Sequence, residues 1–148
     1  MLKGINKLLT GDLLKILCDM GHGDELVIAD ANFPAETYAQ RLIRIPDTDG
    51  VKVVEAVLSV FPLDTYSYPA FLMDLTESDM KKGMSKPEIW ANYHDACVVE
   101  PKLLGRYKFY ERTKKAYAVI QTGEERQYGN LILVKGVVLS EKDDTPPW

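Results

Sequence analysis

Cysteine is nearly absent: Cys18 and Cys97 are the only two in 148 residues. Two thiols outside any CxxC pair cannot build a metal cage alone, and they exclude a disulfide-dense scaffold. Both read as reduced, Cys18 as a small apolar side chain sharing a helix face with Leu13, Leu14 and Leu17. Positive charge is also short, with 18 Lys and Arg against 22 Asp and Glu and a net charge of -4. Without surplus cations to release phosphate counterions, the charge balance argues against a nucleic-acid partner. Long hydrophobic runs are missing too. Gly4, Asn6, Gly11 and Asp12 break the N-terminal segment before it reaches the length of a signal-peptide core. No stretch approaches the roughly 20 apolar residues of a membrane span. The chain contains no P-loop, GxGxxG, GxSxG or HExxH pattern. A soluble, cytoplasmic protein with neither nucleic acid nor membrane as partner is expected.

What is present is ordinary for a globular protein: 46% hydrophobic and 27% charged residues. The length suits one domain over residues 1–148, with a polar tail at 141–148, and folding at this size buries roughly 70% of the chain's surface. Apolar positions 13, 14, 16, 17, 18 and 20 predict a helix over 11–20, with Thr10 as N-cap and Gly21 just past its end. Residues 25–30 read as a strand buried on both faces, 31–34 as a loop, and 35–41 as a short helix opened by Pro34. A turn at 47–50 precedes a helix over 51–61 stopped by Pro62, and 70–75 is a second buried strand. Lys81, Lys82 and Gly83 fall in a polar stretch. Ser85 and Glu88 form a capping-box pattern for a helix over 86–97. Residues 109–112 suggest a short helix, and strands follow at 116–122 and 131–135. Helices alternating with short apolar strands define an α/β fold, a buried sheet covered by helices on both faces with Rossmann-like layering.

Few side chains stand out as carriers of chemistry. His22 lies between two glycines in Gly21-His-Gly-Asp24, where backbone freedom and open space suit a proton-transfer group. The alternative is that Gly21 merely ends the helix and His22 meets its carbonyl end. Asp30 ends a strand, where open α/β sheets place ligands and a carboxylate can accept hydrogen bonds from a polyol; it can equally cap the next turn. His22 and Asp30 are eight residues apart, across one loop and one strand. Tyr128-Gly129-Asn130 offers a phenol, a small backbone position and a carboxamide before the last strand, or simply a tight turn. Asp24-Glu25 has no His or Cys spacing beside it, so no metal site is expected, and His94 reads as part of a solvated helix face.

Met1-Leu-Lys-Gly4, Leu13-Leu-Lys15, Met20-Gly-His-Gly-Asp-Glu25 and Asp30-Ala-Asn-Phe-Pro-Ala35 resemble the opening of the fucose mutarotase / D-ribose pyranase superfamily. Arg106-Tyr-Lys-Phe-Tyr-Glu-Arg112, Thr122-Gly-Glu124, Tyr128-Gly-Asn-Leu-Ile-Leu133 and Lys135-Gly136 continue the resemblance in order, leaving 76–104 and the segment beyond about 137 without a matching motif. The resemblance implies a ribose pyranase-like fold and an isomerase of free monosaccharides that needs no cofactor or metal. It implies His22 as general acid/base, Asp30 and Arg106 as sugar contacts, and Tyr128, Gly129 and Asn130 as the segment closing over the sugar. Arg106 stands where the ribose pyranases carry histidine, and Tyr-Gly-Asn replaces their Tyr-Ala-Asn, so the resemblance favours L-fucose over D-ribose. Asn32, where some fucose mutarotases carry histidine, bears on the finer sugar preference. It further implies self-association into pentameric rings paired as decamers, with sites at subunit boundaries. Pyranose/furanose exchange of D-ribose and non-catalytic monosaccharide binding are the alternatives.

Overall fold

The computed structural model describes residues 1–139, so the tail expected at 141–148 lies outside the described residues. Six helices and six strands follow one another as α1 (Gly11–Asp19), β1 (Glu25–Ala29), α2 (Ala35–Tyr38), β2 (Leu42–Ile45), α3 (Gly50–Leu58), β3 (Ala70–Met73), α4 (Glu77–Lys81), α5 (Glu88–Cys97), β4 (Lys102–Leu104), α6 (Arg106–Lys115), β5 (Ala118–Thr122) and β6 (Leu131–Val134). The strands form one sheet in the order β2-β5-β1-β6-β3-β4. β1 pairs in parallel with β5, β5 with β2, and β3 with β4, while β6 runs antiparallel to both of its neighbours.

Successive strand residues point to opposite faces, so a strand buried at every position must be covered on both. Leu131, Ile132, Leu133 and Val134 of β6 are all buried, as are Leu26 to Ala29 of β1. The expected layering is therefore observed. Helices α3 and α5 pack together, and α2 packs with α6. The second pair is joined by an aromatic cluster in which Phe33 meets Phe109 and Tyr110 edge-on.

Local chemistry explains most element boundaries. Thr10 caps α1 by accepting the Leu13 N–H at 3.4 Å, and Asp49 caps α3 through Lys52 N–H at 3.0 Å. The capping box expected at α5 does not form: Pro87 is the N-cap and no side chain bonds the first turn. The edge strands β2 and β4 and the five-residue α4 were not anticipated, and α6 runs well beyond residues 109–112. Cys18 is exposed, turned away from the buried Leu13 and Leu17, while Cys97 is buried and its thiol is pushed up to about 12 by desolvation.

Because only β6 is reversed, the residues after β1, β3 and β4 and the residue before β6 share one end of the sheet. Those residues include Asp30, Thr76, Arg106 and Asn130. The opposite end gathers the residues before β1 and β3 and after β6: His22, Asp64 and Lys135.

Candidate functional site

At the first end lies a cleft of about 360 Å³ lined by Asp30, Asp79, Arg106, Tyr110, Tyr128 and Asn130, with Phe33, Pro34 and Met73 as its apolar wall. That volume falls within the usual range for small-ligand sites. Asp30 follows β1 directly and is 5% exposed. Its backbone N–H donates to the Asn130 carboxamide oxygen at 2.9 Å, and the Asn130 amide donates back to its Oδ2 at 3.0 Å. Asn32 N–H donates to its Oδ1 at 3.0 Å. The Asp30 carboxyl lies above the usual carboxylate range because burial outweighs these donors. Each oxygen retains acceptor capacity toward the cleft. The Asx turn to Asn32 and the place in the cleft coexist, so the two readings of Asp30 do not compete.

Tyr128 is held in an unusual backbone state, with φ of 63°, in the left-handed region that non-glycine residues rarely adopt. Its carbonyl accepts the Trp90 indole N–H at 3.0 Å, and the next carbonyl, of Gly129, accepts the Tyr93 hydroxyl at 3.1 Å. Helix α5 thereby fixes the corner that presents both Tyr128 and Asn130. Gly129 lies behind the cleft, where a Cβ would come within 3.0 Å of Ile89 Cδ1 and 3.1 Å of Glu124 Cγ. Arg106 opens α6 at the cleft rim, donating to the Tyr107 hydroxyl at 3.0 Å, with its guanidinium carbon 5.9 Å from the Tyr110 ring centre.

His22 is not in this cleft. It lies before β1 whereas Asp30 lies after it, and five strand residues at about 3.3 Å each put roughly 17 Å between the two ends. Its turn is tightly made: Asp24 N–H donates to Gly21 O at 3.1 Å, Gly21 N–H donates to Asp24 Oδ2 at 2.7 Å, and Gly23 has φ of 87°. Gly23, not Gly21, takes the left-handed conformation. The carbonyls ending α1 are capped by Lys135, whose ammonium donates to Leu17 O at 2.6 Å and Met20 O at 2.5 Å, which leaves His22 free of the helix end.

The side chain of His22 instead meets Asp64, Nε2 to Oδ1 at 2.9 Å, and sits 5.1 Å from the Tyr66 ring. Asp64 is 2% exposed. Burial alone would raise its carboxyl, but the Ser67 hydroxyl and the N–H groups of Tyr66 and Ser67, together with His22, hold it down to about 2. An ionised carboxylate only accepts, so Nε2 carries the hydrogen and a neutral His22 keeps its lone pair on Nδ1. The His22 side chain is 43% exposed, with its ring orientation set by Asp64.

Asp64, Asp79 and Tyr110 were not singled out in the sequence. Asp64 contacts His22 across 42 positions, and Tyr128 reaches Asp79 across 49. A local signal for Asp79 does exist, since Thr76 accepts the Asp79 N–H as the N-cap of α4.

A cleft of converging polar groups at the carboxyl ends of parallel strands defines a small-ligand-binding α/β protein. The chain belongs to the RbsD / FucU transport protein family, whose profile matches residues 3–138. It is 47% identical over 150 residues to the fucose mutarotase of Danio rerio, covering 96% of this chain and 97% of that protein. To the fucose mutarotase of Homo sapiens it is 46% identical over 146 residues, covering 93% and 94%. Its fold matches the fucose mutarotase of Streptococcus pneumoniae in complex with L-fucose, with a TM-score of 0.86 at 40% identity over 93% of this chain and all of that one. The likeness to Bacillus subtilis RbsD complexed with D-ribose is more distant, with a TM-score of 0.68 at 25% identity over 93% and 99% of the chains.

Proposed function

We propose that this chain is an isomerase that interconverts the α and β anomers of free L-fucose by acid/base-catalysed ring opening and closure. The observation that carries the reading is its near-full-length likeness to fucose mutarotases, one of them holding L-fucose, with a polar cleft at the strand ends. The weaker likeness to the ribose-bound relative supports D-ribose only as the second candidate.

The residues suit that reaction. Opening the ring removes a proton from the anomeric hydroxyl, breaks the bond between C1 and the ring oxygen, and delivers a proton to that oxygen. The resulting aldehyde rotates and recloses from its other face by the reverse transfers. Asp30, Asn130 and Arg106 offer acceptors and donors to the sugar hydroxyls, while Phe33, Pro34 and Met73 give its apolar parts a dry wall. General acid/base catalysis supplies about 100-fold to 10,000-fold, enough for a reaction that already proceeds in water.

His22 is assigned proton transfer, and within one chain it lies at the wrong end of the sheet. The assignment therefore requires a second copy, with His22 of the partner subunit entering the cleft. The His22 end supports such a contact: Tyr66 is 72% exposed there, and Val60, Val137, Val138 and Leu139 are also exposed. Pentameric rings paired as decamers, in the cytoplasm, belong to the same proposal.

Saturation-transfer NMR between the anomeric protons of L-fucose, with D-ribose in parallel, tests the function. Exchange that depends on protein and is faster for fucose is expected. Line broadening without exchange would make the chain a sugar-binding protein, and no effect on either sugar would overturn the reading. His22→Ala should remove the rate enhancement while preserving the fold, and a fully active variant would contradict the role given to His22.

A further inference from the structure

We propose that Glu124 is a positioning residue for the sugar contacts, holding Asp30 and the Tyr128–Asn130 corner in register from behind the cleft, an inference that rests on the functional reading above. Its side chain is 4% exposed and is not among those that line the cleft. Oε1 accepts the Arg126 backbone N–H at 3.1 Å and the Arg126 Nε–H at 2.9 Å. Oε2 accepts the Gly50 N–H, which opens α3, at 3.1 Å and a terminal guanidinium N–H of Arg126 at 3.2 Å.

An ionised carboxylate offers about four acceptor positions, and these donors fill them. Burial alone would raise the Glu124 carboxyl, yet the Arg126 guanidinium and the N–H groups of Arg126 and Gly50 hold it below the usual carboxylate range. With its lone pairs committed, Glu124 has nothing to offer a ligand directly. Its effect on a sugar is exerted through the groups it holds.

Those groups lie on both sides of the cleft floor. On one side, the Glu124 carbonyl accepts the N–H of Ala31, the residue after Asp30, at 2.9 Å. The Glu124 N–H donates to Thr122 Oγ1 at 3.1 Å, and that hydroxyl donates at 2.8 Å to the carbonyl of Ala29, the residue before Asp30. On the other side, the Arg126 bonds fix the backbone two positions ahead of Tyr128, and the Glu124 Cγ lies behind Gly129, 3.1 Å from where a Cβ would stand. The remaining guanidinium nitrogen donates to Asn92 Oδ1 at 3.0 Å, on the helix whose Trp90 and Tyr93 bind the Tyr128 and Gly129 carbonyls. The paired hydrogen bonds between Asp30 and Asn130 then join the two sides.

Loss of the Glu124 charge should therefore let Asp30 and Asn130 drift from the sugar hydroxyls, weakening ground state and transition state alike. His22 of the partner subunit, to which proton transfer is assigned, is not held by this network. Such a change raises KM and leaves kcat. A variant that merely folds less well presents fewer sites, which lowers the apparent kcat and leaves KM.

The test compares the full-length wild type with Glu124→Gln, which keeps the shape and loses the charge, and Arg126→Lys, which keeps the cation and loses the fork. Saturation-transfer rates over a range of L-fucose concentrations give kcat and KM separately. Glu124→Gln should raise KM about 10-fold, as for one lost hydrogen bond to a charged group, with kcat within about threefold. Arg126→Lys should raise KM about threefold, and it carries the test if Glu124→Gln does not fold. KM unchanged from the wild type, or a fall in kcat larger than the rise in KM, would overturn the inference. The Trp90 indole N–H reports on the corner directly because it donates to the Tyr128 carbonyl, and Trp148→Phe distinguishes its ¹H–¹⁵N signal from that of the other tryptophan. That signal should move in Glu124→Gln and in Arg126→Lys with no sugar present, and an unmoved signal overturns the inference. Absence of exchange in the wild type overturns the functional reading instead, and the indole signal still decides whether Glu124 sets the corner.

Discussion

Asp64 is 2% exposed and ionised, with three hydrogen-bond donors from residues 66 and 67 and one from His22. Its folded carboxyl sits at about 2, below its ordinary value of 3.8, so its charge favours the folded state at neutral pH. That contribution, about 2 kcal/mol, is fully present above about pH 5 and is lost as the pH falls through about 2. Urea unfolding of Asp64→Asn should therefore show a deficit of about that size at pH 7. The gap to the wild type should narrow steadily as the pH falls from 5 to 3; a gap independent of pH would contradict the charge as its source. Arg106 offers a second test at the level of one side chain. It projects at the cleft rim among Tyr107 and Tyr110, and the ribose pyranase resemblance has histidine at this position. Arg106→His should shift the ratio of exchange rates from fucose toward ribose in saturation-transfer NMR, and an unchanged ratio would remove this position from sugar selection.

Gly123 joins β5 to the segment after β2, and a Cβ there would fall on the Pro46 carbonyl oxygen. That carbonyl and the Thr48 carbonyl oxygen, 3.3 Å from the same point, are backbone, so neither can turn aside. Gly123→Ala should destabilise the fold by about 3 kcal/mol through this overpacking, seen as a lower urea midpoint. Gly129→Ala meets the Ile89 and Glu124 side chains at 3.0 and 3.1 Å and should cost less than about 1 kcal/mol. A reversed order of the two would show that the close approach at Gly123 is relieved in solution. The same contrast between local and distant determinants marks what could be read in the sequence. Strands β1, β3, β5 and β6 announce themselves by the short apolar runs at residues 26–29, 70–73, 118–120 and 131–134, as strands buried on two faces require. Edge strands β2 and β4 are four and three residues long and at best half-buried, so they carry no such run. Their identity comes from pairing with β5 and β3, partners far along the chain in the case of β2. Helix α4 was legible in principle, since Thr76 and Asp79 stand at capping spacing, but five residues offer no periodicity. Within the site, Asp30 and the Tyr128–Asn130 corner are legible from their places at strand ends. Asp64 is invisible until the fold brings it to His22.

The single reversed strand divides the molecule's chemistry between two ends. Asp30, Arg106, Tyr128 and Asn130 converge on one cleft, while His22 and Asp64 form an oriented pair at the other. With proton transfer assigned to His22, the proposed isomerase brings two copies together end to cleft. An interface of that kind is heterologous, and repeated around an axis it closes a ring. The proposal makes a quantitative demand that a self-contained site does not. His22→Ala and Asp30→Asn should each be inactive, by loss of opposite halves of the site. Co-expressed in equal amounts and mixed at random, they leave one site in four with both halves intact, so fucose anomer exchange should return to about a quarter of the wild-type rate. Exchange no faster than the sum of the two variants measured separately would contradict a site shared between subunits.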